Sequence, residues 1–297
     1  MTTVLVTAAS GDTGRPAVER LLEKGFHVRA LVRTDDDRAL RLRDLGAEVV
    51  FGDMMSLRDI RLAMKGVQRG YFCFPLREGL VEAAVIFAQA AKEQNLELIV
   101  NISHKQSRPA ARSKATQNHW LSEQIFNWSG VPSVHLRITF FAEWLLYIAP
   151  LIRYGRYVMP YDKDSRFAPI AASDIARITA GIMADPNTYA GQAIALHGPK
   201  EYSHEELAAE VSRVLGRTLP YEQVTVTTFL ELLGLQDAKE LLKHFEAVTL
   251  DQQEGLLAGT DTIGTKIAGQ PLKTIAEFIN DNRSKFVVEY PLRRAQS

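Results

Sequence analysis

Short apolar runs alternate, along the first half of the chain, with longer segments whose apolar residues recur every three or four positions. The short runs predict buried strands at 3–7, 27–33, 48–51, 70–74, 96–102 and 133–138. The longer segments predict a helix after each of the first five strands, the last of them at 114–128. Strands that alternate with helices are typical of a parallel sheet with helices on both faces. The pattern therefore predicts a doubly wound α/β fold.

Beyond residue 140 the alternation loosens. Helices are predicted there at 173–183, 203–215, 226–234, 238–250 and 272–282. We therefore expect a dinucleotide-binding sheet domain over residues 1–140, to which segments at about 165–197 return. A smaller, mostly helical C-terminal lobe is expected over 141–297, where it would shape the substrate pocket.

The first strand leads into the turn Ala8-Ala9-Ser10-Gly11-Asp12-Thr13-Gly14, and a helix follows at once. The first amides of a helix lack internal partners and carry the positive end of the helix dipole, so they attract a diphosphate. Gly11 gives such a ligand room, and Gly14 lets the helix pack closely on the sheet. Ala8 stands at the first position of this fingerprint, where glycine is usual. The turn predicts a dinucleotide site.

Arg33 ends the second strand, where an acid would bind the ribose hydroxyls of NAD(H). An arginine suits a phosphate and cannot accept a hydrogen bond from a hydroxyl, which favours NADP(H) as the cofactor. Asp35, Asp36 and Asp37 follow directly. They are either competing ribose ligands or a solvated loop that caps the next helix.

Ligands of such sheets bind at the carboxyl ends of the strands, near the point where strand order reverses. Asp53 would accept a hydrogen bond from the adenine amino group or, alternatively, serve as a turn residue. Phe140, Phe141 and Trp144 are either core residues or a wall beside the nicotinamide. The residues predicted to contact the cofactor are Thr7, Ala8, Ala9, Ser10, Gly11, Asp12, Thr13, Gly14, Arg33, Asp53, Phe74, Pro75, Ser103, Ile138, Thr139, Phe140 and Phe141. Those predicted to contact the substrate are His104, Phe141, Glu143 and Trp144.

Charge and composition limit the expected partners and compartment. The chain has 35 basic and 35 acidic residues, so neither nucleic acid nor a membrane surface is an expected partner. The single cysteine, Cys73, lies in an apolar run and predicts a buried strand residue. No charged leader followed by an apolar core opens the chain, and no apolar stretch reaches about 18 residues. A cytoplasmic protein that acts on a small molecule is expected.

These residues resemble the NmrA-like group of atypical short-chain dehydrogenases, especially its NADPH-dependent quinone oxidoreductase branch, over nearly the whole chain. The opening turn is similar to the family's Gly-Ala-Thr-Gly-x-x-Gly. Val32 and Arg33 match the pair that carries the adenosine 2′-phosphate. Further matches lie at 52–53, at 119–123 with 129–131, at the strand-six exit over 136–143, and at 269–271.

The resemblance implies an enzyme that delivers hydride from NADPH. Ordinary short-chain dehydrogenases protonate a ketone with the tyrosine of a Tyr-x-x-x-Lys pair, and no such pair occurs in the chain. The implied acceptor is therefore quinone-like, azo, imine or conjugated, because it spreads the charge and needs less help from a protein acid. The resemblance marks His119 as the catalytic residue, a polar anchor or proton donor. Glu123, one helical turn later, could orient its ring.

Several alternatives stay open at this point. The family includes regulators that bind NADP(H) as redox sensors without turnover, and the missing tyrosine–lysine pair and Ala8 favour that interpretation. His119 is also explained as a half-exposed helix residue. Residues 226–260 either close the pocket or form the surface of a homodimer. No histidine spacing indicates a metal site, and no Gly-x-Ser-x-Gly elbow indicates a serine hydrolase.

Overall fold

The computed structural model describes residues 1–287 of the chain. Its strands are β1 Thr3–Val6, β2 His27–Val32, β3 Glu48–Phe51, β4 Arg69–Phe72, β5 Leu98–His104, β6 Ser133–Ile138, β7 Phe140–Phe141, β8 Tyr157–Met159, β9 Arg166–Phe167, β10 Pro169–Ile170, β11 Ala193–Leu196, β12 Tyr202–Ser203 and β13 Tyr221–Gln223. Its helices are α1 Gly14–Glu23, α2 Asp37–Asp44, α3 Leu57–Met64, α4 Leu80–Glu93, α5 Lys114–Ser129, α6 Trp144–Tyr147, α7 Ala149–Arg153, α8 Ala172–Ala184, α9 Pro186–Tyr189, α10 His204–Leu215, α11 Val226–Leu232, α12 Lys239–Gln253, α13 Ile263–Ala268, α14 Ile275–Asp281 and α15 Arg283–Phe286.

Seven strands form one parallel sheet in the order β11-β6-β5-β4-β1-β2-β3. This arrangement confirms the doubly wound α/β fold expected from the sequence. The strands predicted between residues 3 and 138 are all present, within two residues of their predicted bounds. β11 is added at the edge beside β6 and comes from the late segment expected to return to the sheet. Strand order reverses between β1 and β4, and the carboxyl ends of the strands at such a point are where sheets of this kind bind ligands.

Both faces of the sheet are covered, which explains why its strands are apolar on both sides. On one face α1 and α8 pack together, and the core beneath them includes Val4 and Val100. On the other face α3, α4 and α5 cover a second core. Phe72, Phe87 and Phe126 meet edge to face there, with ring centroids 5.0 to 6.2 Å apart. The packed helices hold the carboxyl ends of the strands in register.

A third core belongs to the lobe. It joins Phe140 of the strand-six exit to Val211, Phe229, Phe245 and Phe278 on four of the C-terminal helices. Three two-stranded pairs, β7 with β10, β8 with β13 and β9 with β12, brace this region. Helix α12 packs against α5. The lobe therefore meets the sheet domain beside the end of β5.

The C-terminal part differs from the prediction at the start of its last long helix. α14 begins at Ile275 rather than at residue 272, because Thr274 and Glu277 form a capping box that defines its first turn. Residues 288–297 of the predicted lobe lie outside the described residues. Among residues 1–287, no helix is both long enough and apolar enough to cross a membrane.

Candidate active site

The opening turn brings α1 very close to the end of β1. Ala8 adopts a φ of +47°, the left-handed conformation that glycine takes most easily. Its carbonyl oxygen accepts a 2.9 Å hydrogen bond from the amide of Gly11. A Cβ atom on Gly14 would lie 2.1 Å from that same oxygen, so glycine alone fits there. The turn thus keeps the fingerprint geometry although alanine occupies its first position.

The first turn of α1 keeps the amide of Gly14 without a partner among the described residues, whereas the Arg15 amide donates a 3.0 Å hydrogen bond to the carbonyl of Gly11 and Pro16 has no N–H. Its N-cap residue Thr13 makes no side-chain capping bond, and no acidic residue stands in the first turn. The Asp12 carboxylate, just before the helix, accepts a 3.3 Å hydrogen bond from the hydroxyl of Tyr147. Thr7 instead points inward, where its hydroxyl donates to the carbonyl of Cys73 and accepts from its amide, both at 2.9 Å. The Thr7 side chain therefore positions the turn and does not face a ligand.

Arg33 is exposed just beyond β2. The acids that follow it are engaged elsewhere. Asp36 accepts hydrogen bonds from two amides at the start of α2 and pairs with Arg38 at 2.7 Å. Asp35 pairs with Arg43 at 2.8 Å. The geometry favours the interpretation of these acids as a helix cap over that of ribose ligands, and it leaves the Arg33 guanidinium open to a phosphate.

Three further residues predicted to contact the cofactor follow β3 and β4. The carboxylate of Asp53 accepts a 3.0 Å hydrogen bond from the amide of Met55, which makes it a turn residue, as the alternative interpretation expected. Its contact with an adenine stays a prediction. Phe74 lies beneath the guanidinium of Arg77, 5.1 Å from its carbon to the ring centroid. Pro75 is exposed beside them.

The two phenylalanines at the exit of strand six face opposite ways. Phe140 is buried in the lobe core against Phe167, with ring centroids 4.8 Å apart. Phe141 is half-buried and packs on the core of the sheet. Ile138 is buried in that core too, and the hydroxyl of Thr139 donates 2.7 Å to a backbone carbonyl. Of the predicted aromatic wall, Phe140 is therefore a core residue, and the contact of Phe141 with a nicotinamide stays a prediction.

Glu123 does not orient His119, contrary to the prediction. Its buried carboxylate accepts hydrogen bonds of 2.6 and 2.9 Å from Arg137 on β6, and a third of 2.6 Å from the hydroxyl of Ser103. The guanidinium attracts the carboxylate more strongly than a neutral imidazole could. Ser103 is itself buried. Its hydroxyl ties β5 to α5 and does not face a ligand.

Three histidines from distant parts of the chain gather at the carboxyl edge of the sheet. His104 ends β5, His119 lies on α5 and His244 lies on α12. The rings of His104 and His119 stack with centroids 6.1 Å apart, and His244 stacks on Trp144 at 5.6 Å. Nδ1 of His119 is buried and has no hydrogen-bond partner among the described residues.

Burial sets the charge of this histidine cluster. It lowers the pKa of His119 and of His244 to about 4. It lowers the pKa of His104 to about 3, and the neighbouring imidazoles and Arg108 add to that shift. All three rings are therefore neutral at pH 7, where each can both donate and accept one hydrogen bond.

Asp251 on α12 borders the cluster and was not predicted from the sequence. Its side chain is 2% exposed, and Oδ2 lies 3.9 Å from Nε2 of His104. Burial raises its pKa to about 6, and Glu254 adds to that effect. His244, Val248 and Asp251 recur at four- and three-residue spacing, hence on one face of α12. The sequence signal that could have identified this part of the site is the presence of two titratable residues, His244 and Asp251, on one partly apolar face of a predicted helix.

Glu143, predicted to contact substrate, caps a helix. Its Oε1 accepts a 2.9 Å hydrogen bond from the amide of Ala172 at the start of α8, and its Oε2 is buried without a partner among the described residues. Burial raises its pKa to about 7, and the negative charges of Asp12 and Asp174 add to the shift. A carboxyl that is only partly ionised at pH 7 thus lies between the lobe and the nucleotide turn.

Within residues 1–287, no three His, Cys, Asp or Glu side chains are placed to hold a metal ion. A cleft of about 590 Å³ does open along α12, and residues that line it include Tyr161, Arg166 and Gln252. None of the predicted site residues lines this cleft. The chemistry-bearing groups lie instead at the sheet edge described above.

A sequence model of the NmrA-like family matches residues 1–279 of the chain. An NAD(P)H azoreductase of Xenophilus azovorans is 28% identical over 288 residues, which cover 95% of this chain and 99% of the azoreductase.

Solved structures show the same fold. The NADPH-dependent quinone oxidoreductase of Escherichia coli in complex with NADPH superposes with a TM-score of 0.82 at 21% identity, over 95% of this chain and all of the other. NmrA, a negative transcriptional regulator in complex with NAD, superposes with a TM-score of 0.77 at 18% identity, over 93% of this chain and 94% of the regulator.

Proposed function

The chain belongs to the NmrA-like family, and from that membership and its site we propose that it is an oxidoreductase that passes hydride from NADPH to a quinone-like, azo or otherwise conjugated acceptor. One observation carries the proposal. The uncapped glycine turn after β1 and the neutral histidine cluster after β5 lie at the same carboxyl edge, separated only by β4.

The nucleotide half of the site fits a dinucleotide phosphate. The Gly14 amide that opens α1 has no side-chain cap and no other partner among the described residues, and the contact of Gly14 with the carbonyl of Ala8 lets the helix start close to the strand. Arg33 is exposed at the end of β2, where a guanidinium would bind the 2′-phosphate of NADP(H) by charge-assisted hydrogen bonds and could make only a weaker, neutral-acceptor bond to the hydroxyl of NAD(H). We therefore assign NADP(H) as the cofactor, which when bound supplies a hydride.

Aromatic and imidazole rings form the half of the site where the acceptor would bind. Phe141 adjoins the nicotinamide position, and Trp144 with His244 supplies a flat stack on the lobe side. His119 is neutral at pH 7 because its pKa is lowered to about 4, so it acts as a hydrogen-bonding anchor through its unpartnered Nδ1 and not as an acid. A planar conjugated acceptor suits such a wall, since it stacks on aromatic faces and takes up charge over many atoms.

The first test is binding. We expect the purified protein to bind NADPH more tightly than NADH, as followed by quenching of tryptophan fluorescence. Arg33→Ala should weaken NADPH binding about 10- to 100-fold, to the level of NADH, because a charge-assisted phosphate contact contributes roughly 1.5–3 kcal/mol. Arg41→Ala, an exposed arginine on α2, is the matched control and should change neither affinity.

The second test is turnover. Consumption of NADPH with a panel of quinones and azo dyes, reduced by His119→Ala, is the expected result. Tight NADPH binding without turnover of any acceptor would instead favour the alternative of a non-catalytic, NADP(H)-binding redox sensor; a negative transcriptional regulator is among the similar structures. Equal affinity for both nucleotides in the native protein and in Arg33→Ala would contradict the assignment of NADP(H).

A further inference from the structure

His104 was predicted to contact the substrate, whereas its neighbour Asp251 was not predicted from the sequence. His104 ends β5, in register with Ile138 at the end of β6, whereas Asp251 comes from α12 of the lobe. The pair thus spans the boundary between the sheet domain and the lobe. The His104 side chain is 20% exposed, whereas that of Asp251 is 2% exposed behind it.

The hydrogen bonds around His104 fix where its proton lies. Nδ1 accepts a 3.3 Å hydrogen bond from the amide of Gln106, so the neutral ring carries its hydrogen on Nε2. Nε2 faces Asp251 Oδ2 at 3.9 Å, which is too long for a hydrogen bond. The Nε2–H donor of His104 therefore has no acceptor in this pair.

The carboxyl group of Asp251 also lacks a full set of hydrogen-bond partners. Its Oδ2 accepts a 2.6 Å hydrogen bond from the hydroxyl of Thr116, whereas Oδ1 is buried and unpartnered among the described residues. The charged groups that face it are Arg108 on the loop after β5 and Glu254 beyond the end of α12, while His104 faces it from the sheet. Burial outweighs Arg108, and the raised pKa means that Asp251 holds a proton over part of the physiological range.

A hydroxyl oxygen both donates and accepts, so a neutral Asp251 with its proton on Oδ2 keeps the hydrogen bond from Thr116. That O–H and the Nε2–H of His104 lie 3.9 Å apart, and two donors at this separation can each reach one oxygen at about 2.8 Å. A buried carboxylic acid kept neutral can act as such a donor to an oxygen on which negative charge develops. We propose that His104 and Asp251 form a two-donor site for the oxygen of the electron acceptor, which makes a conjugated carbonyl compound such as a quinone the substrate class. This inference rests on the proposed function and narrows it.

In the proposed reduction Asp251 supplies the proton that the acceptor requires. Reduction of a quinone to a hydroquinone takes up one hydride, supplied by NADPH, and one proton. The O–H bond of the Asp251 carboxyl breaks as the acceptor oxygen gains that proton, while His104 keeps its own and stabilises the same oxygen. The carboxylate left behind takes a proton from water before the next turnover. An azo group has no oxygen for the pair, so azo dyes should be poorer substrates.

The test uses the full chain and 2-methyl-1,4-naphthoquinone. The kcat for NADPH consumption is measured between pH 5 and 8, and binding of the quinone to the NADP⁺-saturated protein is followed by tryptophan quenching. In the native protein kcat should fall about tenfold per pH unit above about pH 6, the pKa of Asp251. Asp251→Asn keeps a donor but no proton to give. It should lower kcat at pH 5.5 by about 10- to 100-fold and abolish the pH dependence, with quinone affinity within about threefold of native.

Asp251→Leu removes the donor, and should also weaken quinone binding at pH 5.5 by about tenfold while leaving NADPH affinity unchanged. Glu246→Leu removes an exposed carboxylate from the same helix and serves as the matched control, with native kcat and affinity expected. Circular dichroism checks that each variant is folded, and Asp251→Asn alone decides the question if the leucine variant is not.

The outcomes separate the two proposals. A native kcat that is flat over this pH range, or an Asp251→Asn profile equal to the native one, overturns the two-donor site while the reductase stands. No turnover, but quinone binding that Asp251→Leu weakens, supports the site and contradicts the reductase. No turnover together with quinone binding that Asp251→Leu leaves unchanged overturns both.

Discussion

The two halves of the carboxyl edge are built in opposite ways. The nucleotide half comes from one continuous stretch, with the turn after β1 and Arg33 at the end of β2. The acceptor half draws His104, His119, His244 and Asp251 from β5, α5 and α12, and its last two members come from the lobe. One half depends on backbone geometry close to the start of the chain. The other depends on tertiary packing between the lobe and the sheet.

The sharpest way to break this comparison is Gly14→Ala. The added Cβ would lie 2.1 Å from the Ala8 carbonyl oxygen and 2.8 Å from Ala9 Cα, and backbone atoms cannot move aside cheaply. We expect NADPH binding to weaken by at least about 100-fold and the free energy of unfolding to fall by about 2–4 kcal/mol. Isothermal titration and urea unfolding measure the two effects.

Gly11→Ala is the control from the same turn. A Cβ atom there meets only the Ala8 oxygen, at 3.3 Å, and φ is not positive, so stability should stay close to native while NADPH binding weakens. Native NADPH affinity in Gly14→Ala would show that close packing of α1 on β1 is not what builds the phosphate site.

The acceptor half should respond most to acid. Burial depresses the pKa of six imidazoles, three in the histidine cluster and three elsewhere: His104, His119 and His244, and His135, His197 and His204. Below about pH 6.5 the unfolded chain binds protons that the folded chain cannot, so stability is lost as pH falls from about 6.5 toward 4. Glu143 and Asp251, with raised pKa values, oppose this trend because the folded state binds their protons more tightly.

The histidines outnumber the two carboxyls, so the free energy of unfolding should be lower at pH 5 than at pH 7, by roughly 2–5 kcal/mol. Urea unfolding at both values measures the difference. His119→Phe removes one of the titrating rings and should make the pH slope shallower by up to about 1.4 kcal/mol per pH unit. A stability that rises toward pH 5 would contradict neutral burial of the histidine cluster.

Much of the nucleotide half was predictable because its determinants are local. Gly14 and Arg33 stand at fixed offsets from a strand, and the structure gives both the environments that those offsets imply. Thr7 and Ser103 were named for their places at strand ends, yet backbone and side-chain partners turn both hydroxyls inward. A strand-end position fixes where a residue lies, but not which way its side chain points.

The acceptor half was predictable only in part. His104, His119 and Trp144 follow strand ends or family motifs, whereas His244 and Asp251 join them only because α12 packs against α5. Glu123 shows the same limit in reverse. Glu123 lies one helical turn from His119, as predicted. Its carboxylate nevertheless binds Arg137 on β6, and spacing along a helix cannot reveal a contact with a strand.

The smallest expected effect concerns the backbone conformation of Ala8 in the nucleotide half. Ala8 holds a φ of +47°, which costs an L-residue about 1 kcal/mol relative to glycine. Ala8→Gly relieves that strain but adds freedom to the unfolded chain, so the free energy of unfolding should rise by only about 0–1 kcal/mol. NADPH should bind up to about threefold more tightly. Calorimetry measures both, and a clear loss of stability would show that the alanine methyl contributes packing that outweighs its backbone strain.

Helix α12 has a consequence for how such a protein can diversify. His244 and Asp251 lie on a single helix, far along the chain from the nucleotide turn. In the proposed reductase, substitutions along one face of that helix would therefore exchange one electron acceptor for another while the binding of NADPH is kept. In the proposed reductase, acceptor specificity can thus change in evolution while cofactor binding is retained.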